Sequence, residues 1–378
     1  MHQSHQSESV WFGNYILTII FFCCIMDMIL LQKGELIMKL RNYWLDYLRS
    51  FACVLVTFGH LLMSFQNLEM LPHSGIVNDF IRLIYCFHVY IFFFCSGYLF
   101  QCNKSNSLSS KKVMVYRIEK CINFLILYVL FSGITYLLKF IFNSSVNNQV
   151  STSFWKTLLS HPINQMWYLY AIATIFLFAH HIRSSKAAYL ILGIATVLKG
   201  IDIMSLPWIK DVLPLNYLCQ NLIWFVIGQW FSYKQIKLNL KTSLPSTVLF
   251  TVLFILRTKL DLASPLLDNT LTLLGIVSSV GIIYVLTKKK TEITGVWKYL
   301  SKYMLQIYLL HTMFAASIRT VLFKVGVSQL LPHLIVGTIF SFVAPIVCAI
   351  IAEKTHILNI IFFPIKTVKE LRMQKNKE

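Results

Sequence analysis

Residues 49 to 60, RSFACVLVTFGH, put an arginine and a histidine at either end of ten uncharged residues. The surrounding run reads as a membrane span, where ionisable side chains are costly and mark functional positions by default. Eleven steps of about 100° make three turns plus ~20°, so Arg49 and His60 share one helix face about 16 Å apart. Asp46, three residues before Arg49, has the spacing of a same-face ion pair at the inner end of that helix. Two further runs carry a lone histidine, His88 in FHVYIFFFCSGYLF and His311 in LQIYLLHTMF. At a rise of about 1.5 Å per residue all three histidines fall at mid-to-outer depth, where they could line one polar cavity. An imidazole with an ordinary pKa near 6.5 suits a general base, and it can also act as a nucleophile. The competing reading makes each histidine a helix–helix hydrogen-bonding residue worth about 1 kcal/mol. By the same reasoning Arg49, about 8 Å deep, would only snorkel to the interface.

Two other stretches carry polar chemistry. NQMWYLYAIA puts Trp167 and Tyr168 at the outer mouth of a span, where an aromatic belt would look the same. KKVMVYRIEK offers Arg117 and Lys120 one helical turn apart. Two cations on one face can clamp phosphates, although a basic flank of a membrane helix has the same composition.

These residues sit in a chain of 378 residues, 57% hydrophobic and 13% charged, with mean hydropathy +0.65. Soluble domains carry about 25% charged residues, so the balance implies an all-α polytopic membrane protein. Ten candidate spans follow residue 40, near 44–65, 79–100, 120–142, 164–182, 187–206, 213–231, 244–260, 268–287, 299–320 and 332–352. If the residues before 44 are cytoplasmic, the inner segments hold 24 of the 34 Lys and Arg. That asymmetry is expected of ten spans with both ends of the core in the cytoplasm. The run VWFGNYILTIIFFCCIMDMILL, residues 10–31, is a candidate extra span in an N-terminal extension, 1–37. The core domain is expected over 38–366 and a basic cytoplasmic tail over 367–378. The net charge of +19 is dispersed among apolar runs, which favours an anionic membrane surface over nucleic acid as its partner. The nine cysteines form no CxxC pair and no His/Cys cluster at zinc spacing, so no metal site is expected.

Four motifs, in order, resemble the membrane acyltransferase-3 family. WLDYLRSFACVLVTFGH is similar to its opening element with the Arg-x10-His pair, here Arg49 and His60. FHVYIFFFCSGYLF resembles its second-span signature, ending in Ser96, Gly97 and Tyr98. NQMWYL looks like its Trp-Tyr/Phe-Leu segment, and IYLLH like its late Tyr-x-x-His, here Tyr308 and His311. Three positions depart from the pattern. Lys120 stands where the family's basic loop has a second arginine, Tyr90 where many members have proline, and Gln165-Met166 where His-Leu is common.

The resemblance implies transfer of an acyl group, usually acetyl, from a coenzyme A thioester to a carbohydrate hydroxyl. It implies no tightly bound cofactor, because acetyl-CoA enters as a substrate. The expected setting is a bacterial plasma membrane, with surface polysaccharide, lipopolysaccharide or peptidoglycan among the acceptors. Carried onto this chain, Arg117 and Lys120 would hold the donor's phosphates, and Arg49 would orient the donor or stabilise charge on its carbonyl. His60 would be general base or nucleophile, with His311 orienting it or touching the acceptor. Asp46, His88, Ser96, Trp167, Tyr168 and Tyr308 would support the site or the acceptor. The rival class is a transporter or flippase of a lipid-linked sugar, using the same histidines to line a path.

Overall fold

The computed structural model describes residues 43–102, 110–141, 153–160, 162–204, 206–236, 238–355 and 358–375. The extension 1–37 and its candidate span lie outside them. Among the described residues every regular element is helical. The long helices are α1 (Tyr43–Gln66), α2 (Gly75–Cys102) and α3 (Ser110–Ile141). After the short α4 (Phe154–Ser160), a 3-10 turn over Asn164–Met166 leads into α5 (Trp167–Phe178). Next come α6 (Ser185–Met204), the single turn α7 (Pro207–Lys210) and α8 (Leu213–Lys234). Then follow α9 (Leu240–Lys259), α10 (Pro265–Thr287), α11 (Val296–Lys302), α12 (Met304–Lys324) and α13 (Leu330–Thr355). Two short helices, α14 (Asn359–Phe362) and α15 (Pro364–Lys375), close the described chain. The last runs across the expected boundary at 366, and Lys369 in it pairs with Glu119 of α3 at 2.5 Å.

Each of the ten expected spans overlaps a long helix or α5, the ninth starting in α11 and crossing a break at Tyr303 into α12, but only eight of the helices among the described residues are long and apolar enough to cross a membrane. The two others differ for separate reasons. Helix α5 has 12 residues, about 18 Å at the usual rise and short of a hydrocarbon core of ~30 Å. Helix α8 has 22 residues but carries Asn216, Gln220, Asn221 and Gln229. Its polar groups are satisfied within protein: Asn221 donates to the Tyr217 carbonyl at 2.9 Å, and Gln229 to the His180 carbonyl at 2.9 Å. It packs against α2, α5 and α6, with Trp224, Phe225 and Ile227 fully buried. The lipid-facing surface is supplied by other helices, through residues such as Leu137 and Phe140 of α3 and Val343 of α13.

Two helix pairs organise the interior. Helices α2 and α8 run antiparallel and touch backbone to backbone. A Cβ at Gly97 would overlap the Phe225 carbonyl, and one at Gly228 would overlap the Phe94 carbonyl. Small residues at both crossing points are what allow this approach, as in other close-packed membrane helices. Helices α1 and α12 run parallel and in register: Cys53 meets the Met304 carbonyl, His60 faces His311, and Ser64 meets Arg319. The Ser-Gly-Tyr signature thus has a structural reason in its glycine. Gly97→Ala should lower stability by at least ~2 kcal/mol, since backbone rather than a flexible side chain blocks the new methyl. Thermal melting of the detergent-solubilised protein checks this, with Gly193→Ala, whose Cβ would meet nothing within 4 Å, as the control. Superimposable melts of Gly97→Ala and wild type would contradict the close crossing.

Candidate active site

The three histidines come together between α1, α2 and α12. The rings of His60 and His311 lie 5.4 Å apart, and Tyr85 stands between His60 and His88, with centroids at 6.0 Å and 4.7 Å from them. His88 and His311 are almost wholly buried and His60 half-buried. The Nδ1 of His88 donates to the Ile84 carbonyl of its own helix at 2.7 Å. The Nδ1 of His311 does the same toward Ile307 and Tyr308, each at 2.9 Å. Since a carbonyl only accepts, both rings carry a proton on Nδ1, and among the described residues neither Nε2 has a hydrogen-bond partner. A buried acceptor left unpaired costs free energy, and such groups recur where a catalytic role or a ligand accounts for them. His60 differs: its Nδ1 faces the Tyr85 hydroxyl at 3.3 Å. Gly59 makes room for that tyrosine, because a Cβ there would press on Ile84 at 3.1 Å and on the Tyr85 ring at 3.3 Å.

A second polar layer surrounds the cluster. The Tyr308 hydroxyl donates to the Gln165 carbonyl, and the Gln165 side chain exchanges hydrogen bonds with Thr312 at 2.9 and 3.2 Å. The residues that precede α5 are thereby tied to α12. Tyr168 packs on Phe93 and Tyr308, and its hydroxyl lies 3.4 Å from Ser96. Trp167 stacks on Tyr217 of α8 at 5.7 Å. Both aromatics are therefore half-buried between helices rather than spread over a membrane boundary.

Arg49 lies at the opposite end of α1 from Ser64, half-buried, with Asp46 at 3.7 Å. Lys120 is exposed and sits over the Tyr116 ring at 5.7 Å. Arg117 plays a structural part. Its guanidinium donates to the carbonyls of Phe176 and Leu177 and lies 3.5 Å from His180. The last carbonyls of a helix have no partner of their own, and a cation there also meets the negative end of the helix dipole. Arg117 thus caps the C-terminus of the short α5. Among the described residues, no group of three or more His, Cys, Asp or Glu could hold a metal ion.

Tyr85, Thr312 and Arg319 also belong to this region, and sequence reasoning misses all three. Tyr85 nonetheless carries a legible signal. Tyr85-Cys-Phe-His88 repeats the Tyr-x-x-His spacing of Tyr308-Leu-Leu-His311, and in both the tyrosine ring contacts the histidine. Arg319 looks in sequence like an outer flank, and Thr312 has no signal beyond its place next to His311.

The helical bundle thus gathers three histidines between α1, α2 and α12, with the Arg49–Asp46 pair toward the other end of α1. A family model described as an acyltransferase domain, that of the acyltransferase-3 family, matches residues 42–352. The chain belongs to that family, and it is a multi-pass membrane acyltransferase. No curated protein and no solved structure matches it.

Tyr85→Phe removes the hydroxyl from His60 and little else. It should leave the melting temperature within the effect of one hydrogen bond, about 1 kcal/mol, while lowering acyl transfer roughly tenfold. Unaltered turnover would show that the Tyr85–His60 contact is packing alone.

Proposed function

We propose that this acyltransferase moves an acetyl group from cytoplasmic acetyl-CoA to a hydroxyl of a cell-surface or lipid-linked carbohydrate. The observation that carries the reading is the pair His60 and His311, 5.4 Å apart on parallel helices, beside buried imidazole nitrogens that have no partner. A site that only bound its ligand through fixed hydrogen bonds would not need two buried imidazole nitrogens left unpaired among the described residues. In the reaction the acceptor O–H bond breaks, its oxygen bonds to the thioester carbonyl carbon, and the C–S bond breaks. The proton leaves the hydroxyl for an imidazole and passes to the departing thiolate, so the products are an ester and free CoA. His60 is the first candidate for that base and equally for a transient acyl carrier, with His311 beside it and Tyr85 fixing its ring.

For the donor, the candidate cations are Arg49, paired with Asp46, and Lys120, exposed over the Tyr116 ring. Arg117 serves them through α5, whose end it caps and whose Tyr168 reaches toward Ser96. Lysine meets a phosphate as a point charge rather than as a fork, so Lys120 suits a mobile phosphate tail. Trp167, stacked on Tyr217, and Tyr168, met edge-on by Phe93 and Tyr308, are half-buried aromatics that can meet a sugar ring. The positive-inside pattern supports an orientation with the Arg49 end toward the cytoplasm and the histidines toward the far leaflet.

The test is base-labile acetate on the surface polysaccharide of three strains: intact, gene-deleted, and rescued with His60→Ala whose membrane expression is verified. Loss of acetate on deletion without recovery by His60→Ala is the expected result. If the polysaccharide of the deleted strain remains acetylated, it is not the acceptor of this enzyme and the reading fails. The donor assignment has its own check in steady-state kinetics. Lys120→Ala should raise the KM for acetyl-CoA about tenfold with kcat nearly kept, whereas Arg117→Ala should mainly lower thermal stability, by about 1.5–3 kcal/mol for hydrogen bonds from a charged group. An unchanged KM in Lys120→Ala would remove that residue from the donor site.

A further inference from the structure

The α1–α12 seam does not end at the histidines. One turn beyond His60, Ser64 receives a hydrogen bond from Arg319, two turns beyond His311. Arg319 is only 8% exposed. An arginine near the end of a membrane helix ordinarily snorkels its head into the interface. This one turns inward instead. Among the described residues it has no carboxylate partner, in contrast to Arg49 with Asp46 and Arg257 with Asp268. The Ser64 hydroxyl satisfies one of its five N–H donors and none of its charge. A buried, uncompensated cation is strongly unfavourable unless something of opposite charge arrives.

We propose that Arg319 is the receptor for an anionic group of the acceptor, a carboxylate or a phosphate, bound about one helical turn beyond the hydroxyl that is acylated. This extends the acceptor-side reading above and rests on it. Its planar fork matches both oxyanions in bidentate fashion, which a lysine would not do. The spacing is the second argument. Ser64 follows His60 by about 6 Å along the axis, roughly the length of one sugar residue, so one ligand can reach the base and the guanidinium together. Arg49 and Arg319 then bracket the histidines, one for each substrate's charge.

The experiment uses the full chain in lipid nanodiscs and three probes: a glucuronic-acid-terminated oligosaccharide, its neutral glucose-terminated analogue, and a short polyprenyl diphosphate glucose. Binding of each and CoA release with each are measured for wild type, Arg319→Gln, Arg319→Lys and Ser64→Ala. A charged probe should bind at least tenfold tighter than the neutral one. Arg319→Gln should abolish that difference, Arg319→Lys should keep part of it, and Ser64→Ala should keep most. The preferred charged probe tells whether the anion is a sugar carboxylate or a lipid diphosphate. Equal binding of charged and neutral probes by wild type overturns the proposal, as does an Arg319→Gln loss that is the same for all three, which marks a staple between α1 and α12. If no probe releases CoA, the acetyl-transfer reading fails, and the binding difference still decides the anion site.

Discussion

Everything at the centre of this protein depends on α1 and α12 lying parallel and in register. A chain that crosses a membrane repeatedly brings sequential helices together antiparallel, as α1 and α2 do around Gly59 and Tyr85. Parallel contact joins helices that are distant in sequence. The contacts are Cys53 to Met304, His60 to His311 and Ser64 to Arg319, a separation of about 250 residues at each level. A slip of one residue on either helix would turn the aligned faces apart by about 100°. The remaining helices hold this register. Tyr308 and Thr312 tie α12 to the turn before α5, and Tyr85 with Ile84 closes on Gly59 from α2.

Lipid makes those constraints stricter than water would. A polar group that loses its partner in hydrocarbon cannot turn to solvent, so it finds one inside the bundle or stays exposed to the full cost. Helix α8 illustrates the result. Its amides would weaken a lipid-facing span, yet they fit a helix enclosed by α2, α5 and α6. Gly97 and Gly228 let it approach α2 at backbone distance, and T-shaped packing of Phe94 on Phe231 at 5.2 Å fills the space beside them. Arg117 does the same for α5, whose exposed end has the carbonyls of Phe176 and Leu177 met by a guanidinium.

The broad architecture is legible in the sequence because hydrophobic run length and charge asymmetry are local properties. Each of the ten runs overlaps a helix, and the Arg-x10-His spacing sets the shared face of Arg49 and His60. The three-histidine cluster is also legible, because depth follows from counting residues along a helix. Lateral placement is not. That Trp167 and Tyr168 pack inside, that Arg117 caps α5, and that Arg319 turns inward all depend on which helices touch, and no periodicity encodes that. The shortness of α5 is hidden for a related reason. FLFAHHIR keeps an apolar start, while the chain has already left the helix at Ala179 with extended backbone.

The histidines show how a helix can orient an imidazole without help from a neighbour. A ring whose Nδ1 donates to the carbonyl one turn back gains a fixed tautomer and orientation from its own helix. A carboxylate in that position would add a counter-ion and hold the proton once taken, whereas a carbonyl orients the ring without doing so. His88 and His311 share this arrangement and each is preceded at three residues by a tyrosine, while His60 takes its tyrosine from another helix. Of the three, His60 is therefore the one whose ring is held across an interface, by Tyr85 of α2. Any movement between α1 and α2 is felt first at the residue that the opening motif pairs with Arg49.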